Sequence, residues 1–215
     1  MGYLQEIGIE SGTDKYGHGY LENYESHFDD IRNDVKCFIE IGVLGGKSLT
    51  MWEKYFPNAI IHGVDINPSC MTYESERIKI HIGDQSNNNF LMHLKDRIGY
   101  YDILVDDGSH ITKHQISTHN ILYENLKKGG FYCIEDLGNS YEEILNQHDL
   151  RQIWPGMSYN SDEYELKNYR RDFDDWINKE IKKIDYNGYF KYEKEFNLYP
   201  VSSLHFYPMM LVIKK

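Results

Sequence analysis

The chain has 215 residues and a formal net charge of −11, with 40% hydrophobic and 27% charged residues. That length suits one domain that buries roughly 70% of its unfolded surface, and the balance is that of a soluble globular protein. The negative charge repels phosphate, which argues against nucleic-acid and anionic-membrane partners. No run approaches the ~18 apolar residues of a membrane span, and the opening MGYLQEIGIE has no apolar signal core. Cys37, Cys70 and Cys133 are few and scattered, and two of them sit in apolar runs that suit buried free thiols. The expected setting is cytoplasmic.

In chain order, Tyr20, Tyr24 and Phe28 recur every four residues, which predicts a short helix within a 1–30 extension packed on the body. The runs 37–43 (CFIEIGV), 59–65 (AIIHGVD), 78–82 (IKIHI), 101–107 (YDILVDD) and 130–135 (GFYCIE) are strand-length and apolar. Three of them are Ile/Val-rich with little alternation, the pattern of parallel strands covered on both faces. Helices are expected at 47–56, 88–97 and 111–127, the last closing on Lys127-Lys128-Gly129-Gly130 with cations before a glycine stop. Strands alternating with helices predict right-handed crossovers and an α/β, doubly wound sheet. Further on, 161–184 reads as a charged helix around Phe173 and Trp176. The segments 188–197 and 203–213 read as a terminal antiparallel pair. No linker or repeat divides the chain, so 1–215 is taken as one domain, with 150–185 as an acceptor-side insertion. Its polar stretch 155–172 is the candidate lid.

In open α/β sheets the ligand lies beyond the carboxyl ends of the strands. The first such end reads Glu40-Ile41-Gly42-Val43-Leu44-Gly45-Gly46-Lys47-Ser48. A P-loop would need a glycine at Ile41, and a dinucleotide fingerprint would need one at Leu44. The ExGxxxG turn of nucleoside-binding methyltransferases is satisfied by Glu40, Gly42 and Gly46; a plain tight turn is the alternative. Asp65, about 20 residues past the turn, is placed for ribose hydroxyls. Asp84 and Gln85, closing the third strand, are placed for an adenine edge.

Two acidic doublets carry more information. Asp106-Asp107-Gly108-Ser109-His110 and Glu135-Asp136 each close an apolar run, and neighbouring strand ends lie ~4.8 Å apart. Carboxylates that close need a counter-ion or must protonate. Oxygen ligands favour a hard cation such as Mg²⁺ or Mn²⁺. The candidate ligands are Asp107, Glu135 and Asp136, with His110 above them as general base; the alternative is that the acids cap helices. His62, His81, His114 and His119 are expected to be structural or solvated.

The chain resembles the metal-dependent O-methyltransferases of macrolide sugars and their relatives from surface-polysaccharide clusters. The resemblance rests on Gly12-Thr13-Asp14-Lys15-Tyr16, EIGVLGGKSLTMW, YFPNAIIHGVDI, GDQS, DDGSH, LKKGGFYCIEDL followed by SY, and HFYPMMLVIKK. It implies a Rossmann-like, mostly parallel seven-stranded methyltransferase sheet, S-adenosylmethionine as donor, and Mg²⁺ on Asp107, Glu135 and Asp136 with His110 as base. Glu40, Gly42, Gly46, Ser48, Asp65, Asp84, Gln85 and Asp106 would then hold the donor, with Lys15 either on its carboxylate or a plain surface lysine. The acceptor would be a small-molecule or nucleotide-linked sugar, and a homo-oligomer is among the assemblies expected. A catechol-type acceptor, a metal-dependent hydrolase or phosphoryl-transfer enzyme, and a binding protein without turnover are the competing classes.

Overall fold

The computed structural model describes residues 1–140, 169–189 and 201–215. Five runs expected as parallel strands form β1 (Cys37–Ile41), β2 (Ile60–Asp65), β3 (Ile78–Ile82), β4 (Tyr101–Asp106) and β5 (Leu126–Ile134). With β6 (Ser203–Tyr207) and β7 (Met210–Lys214) they make one sheet in the order β3-β2-β1-β4-β5-β7-β6. Pairing is parallel from β3 to β5 and antiparallel for β5–β7 and β7–β6. The order reverses between β1 and β4, where a doubly wound sheet opens a crevice for a ligand.

Helices α1 (Tyr3–Ser11), α2 (Tyr20–Phe28) and α3 (Lys47–Tyr55) are followed by α4 (Asn88–Ile98), α5 (Thr112–Leu122) and α6 (Tyr169–Tyr189). The Tyr20/Tyr24/Phe28 stripe is buried as its spacing implies, and packs with Trp52, Phe38 and Phe56 on one face of the sheet. Truncating a ring such as Trp52 would cost about 3–5 kcal/mol. On the other face, Leu91, Leu94, Tyr132, Phe173 and Trp176 form a second core under α4, α5 and α6. The α4 start is capped by Asn87, whose side chain accepts from the amides of Asn89 and Phe90.

Three expectations are corrected. The helix expected over 111–127 ends at Leu122, a 3-10 turn follows at Tyr123–Asn125, and Lys127 and Lys128 belong to β5. Pairing overrides the local stop signal: Gly129, at φ 81°, donates to the Lys215 carbonyl, and Lys127 Nζ reaches Asp102. The antiparallel pair lies wholly within 203–214, because Pro208 and Met209 (φ 63°) turn the chain back in the middle of the run. Residues 188 and 189 are the end of α6; of the lid candidate 155–172, residues 169–172 lie in α6, while 155–168 and also 190–197 lie outside the described residues. Helix α1 was not foreseen. Residues 169–185 of the expected insertion lie in α6, whose Phe173, Trp176 and Ile177 are buried in the second core.

His119 is a core side chain, ringed by Tyr123, Tyr132 and Trp176. Burial, aided by Lys183, pulls its pKa down to about 3. The folded imidazole is therefore neutral where the unfolded one would protonate, so this contribution is complete above about pH 6.5 and lost as pH falls toward 3. Urea melts should show His119→Phe losing roughly 2–3 kcal/mol less stability than the wild type between pH 6.5 and 4.5. An equal loss in both proteins would refute the assignment.

Candidate active site at the carboxyl rim

The strand ends of β1, β2, β4 and β5 meet at one rim. After β1 the chain turns at Gly42 (φ 95°), whose amide bonds to the Val64 carbonyl. A side chain at Gly42 would run into the Asp107 carbonyl oxygen, so glycine lets the two loops touch. Leu44, His110, Asp136 and Met209 are the described non-glycine residues at positive φ. Three lie on this rim, and the Met209 carbonyl accepts from Leu137, next to Asp136. Such conformations cost of order 1–3 kcal/mol each and gather at functional sites.

The acidic doublets converge. Ligand atoms of Asp107, His110 and Asp136 all lie within 4.8 Å of one another, a grouping able to hold a metal ion. His110 Nε2 is 3.5 Å from Asp136 Oδ2, and its Nδ1 is 3.9 Å from Asp107 Oδ1. Glu135 lies deeper. Its oxygens take two bonds of 2.9 Å from Lys15 Nζ and one of 2.6 Å from the Tyr24 hydroxyl. The same ammonium reaches Asp107 Oδ2 at 2.5 Å and Glu40 at 3.4 Å, while the Tyr20 hydroxyl donates to Asp136 at 2.7 Å. The sequence left Lys15 between the donor's carboxylate and the protein surface; it is buried and pairs with the protein's own carboxylates.

One ammonium does not balance these acids. Burial and the Asp107 charge push the Glu135 carboxyl well above its usual range, against the pull of Lys15 and Tyr24. Burial would lower the Lys15 pKa, but Asp107, Glu135 and Glu40 outweigh it and keep the ammonium charged. Surplus negative charge beside converging hard oxygens fits a divalent cation.

The predicted donor residues divide into two groups. Gly42, Gly46 and Asp65 line the turn, where Asp65 accepts from the amides of Val43, Leu44 and Asn67. Asp84 is exposed at the end of β3, accepting from the Ser86 amide. Glu40, Ser48, Gln85 and Asp106 are buried behind the rim instead. Glu40 accepts from Ser48 and Trp52, pinning the start of α3. Gln85, expected at an adenine edge, bridges Asp106, Thr118 and the Ser109 amide, which ties β3 to the 107–110 loop. Burial pushes the Asp106 carboxyl up to about 7, against hydrogen bonds from Gln85 and the Gly108 amide. These four are bonded to one another and to neighbouring rim residues, which holds the rim in shape.

No protein-family model matches the chain. It is 38% identical over 146 residues to the 8-demethyl-8-alpha-L-rhamnosyl tetracenomycin-C 2'-O-methyltransferase of Streptomyces olivaceus, covering 64% of this chain and 38% of that one. It is 35% identical over 171 residues to the mycinamicin VI 2''-O-methyltransferase of Micromonospora griseorubida, covering 75% and 40%. The MycE methyltransferase from the mycinamycin biosynthetic pathway, solved with Mg, SAH and mycinamycin VI, superposes over 99% of this chain and 53% of its own, with 30% identity and a TM-score of 0.75. The chain has the class I methyltransferase fold. Its relatives there are sugar O-methyltransferases, and it spans less than half the length of the two curated ones named.

Within this rim, the sequence missed the part played by the N-terminal segment. Lys15, Tyr20 and Tyr24 together touch Asp107, Glu135 and Asp136. Tyr20 and Tyr24 read as apolar helix spacing, and nothing local told that their hydroxyls end on carboxylates 111 and 116 residues away.

Proposed function

We propose that the chain catalyses transfer of the methyl group of S-adenosylmethionine to a hydroxyl of a sugar or sugar-bearing small molecule, with Mg²⁺ or Mn²⁺ held at the rim. The observation that carries this is the meeting of Asp107, His110 and Asp136 within 4.8 Å, beside the glycine turn of a class I methyltransferase sheet. The named relatives support a sugar hydroxyl as acceptor.

Asp107 and Asp136 would hold the ion, with Glu135 behind them. A divalent ion there lowers the pKa of an acceptor hydroxyl and fixes its direction. The turn from Gly42 to Gly46 and the carboxylates of Asp65 and Asp84 would seat the nucleoside. The methyl sulfonium is electrophilic already, so alignment supplies much of the remaining rate. His110 would take the hydroxyl proton on its imidazole as the acceptor oxygen bonds to the donor's methyl carbon, the electron pair of the breaking bond staying with the sulfur. Asp136, beside Nε2, stabilises the imidazolium that results.

Labelled-methyl transfer to a panel of free sugars, nucleotide-linked sugars, rhamnosyl and related glycosides, and catechols, with and without Mg²⁺, tests the reading. Incorporation into a sugar-bearing acceptor only when Mg²⁺ is present is expected. Transfer to catechols alone, or to none of the panel, would overturn the acceptor class.

A further inference from the structure

Lys15 is 1% exposed, so it is not a surface cation that guides a ligand in. It sits on the 3-10 turn Asp14–Tyr16, between Gly12 and Gly19, both in the left-handed region. That turn drives the side chain inward to meet Glu40, Asp107 and Glu135. A buried ammonium is tolerated only when paired and hydrogen-bonded, as here. Removing it leaves three acids, two of them fully buried, facing one another without a cation. Its contact with Asp107 also sets a positive charge directly beside the group that includes His110 and Asp136.

We propose that Lys15 is the resident counter-cation of this cluster: it keeps Glu40, Asp107 and Glu135 assembled when no divalent ion is bound, and its charge weakens divalent-ion binding at Asp107 and Asp136. Lys15 is a positioning residue, and the inference rests on the metal reading above. At the effective dielectric of a protein site, a like charge a few ångströms from the ion raises its dissociation constant at least tenfold.

Calorimetric titration of Mg²⁺ into donor-free protein, with circular dichroism in EDTA alongside, tests this. The wild type should be folded in EDTA and bind Mg²⁺; absence of binding there would overturn the metal reading itself. K15M should bind Mg²⁺ at least tenfold tighter than the wild type, or fold only when Mg²⁺ is supplied. Binding no tighter than the wild type would overturn the role of Lys15 alone. The double variant K15M/E40Q removes one charge of each sign, and Glu40 is not among the ligands assigned above. Its Mg²⁺ affinity should lie between that of the wild type and that of K15M, and an affinity as high as that of K15M or higher overturns the electrostatic account. Failure of both variants to fold in Mg²⁺ would also overturn it, because the divalent ion should replace the ammonium.

Discussion

His110→Ala lowers kcat by roughly 10²–10⁴-fold while S-adenosylmethionine still binds. The imidazole is 8% exposed, held at φ 56° on the loop after β4, and flanked by Asp107 and Asp136. A non-glycine residue keeps that backbone conformation only if its surroundings enforce it, and the packing of the 107–110 loop on Gly42 and Gln85 does so. The variant loses the proton acceptor and leaves the donor-side turn untouched. Donor affinity by equilibrium dialysis should therefore stay within a few-fold of the wild type. Mg²⁺ affinity separates the two roles open to this side chain, since its nitrogen also lies within ligand distance of both acids. A fall in kcat with Mg²⁺ binding retained marks a base; parallel loss of both marks a ligand. Unchanged turnover at pH 7 would remove His110 from the reaction.

Removing the metal should be at least as severe. Excess EDTA, or Asp107→Asn, should reduce turnover by roughly 10³-fold or more, because activation of the hydroxyl by the cation contributes several kcal/mol. The fold should survive either treatment. Lys15 still pairs with Glu135 and Glu40, and Tyr20 and Tyr24 still donate to Asp136 and Glu135. Far-UV circular dichroism should be unchanged in EDTA, and added Mg²⁺ should restore the chelated wild type but not Asp107→Asn. Full activity in EDTA would end the metal-dependent mechanism.

How far the sequence carries can be judged element by element. β1 to β4 were visible as apolar runs within about two residues; β1 and β4, covered on both faces, have no polar side to confuse the pattern, while β3 lies at the edge and keeps its alternation. Their ends were visible too, in Gly42, Asp65, Asp84 and Asp107. The boundary between α5 and β5 was not. Lys127-Lys128-Gly129-Gly130 is a good helix stop considered alone, but pairing with the C-terminal strand takes those residues into the sheet.

For the site, the sequence by itself determined the residue types and their rim: acids and a histidine that close apolar runs, and a glycine-rich turn after the first of them. Only the tertiary structure decided which of those acids face outward and which are structural. Glu40 and Gln85 bond to partners on the protein that the sequence did not reveal, while Lys15, Tyr20 and Tyr24 came to the acids from far along the chain. The reason is physical. Local patterning encodes which way a side chain points from its own element, whereas the counter-charge and hydrogen bonds it finds depend on which distant element packs over it.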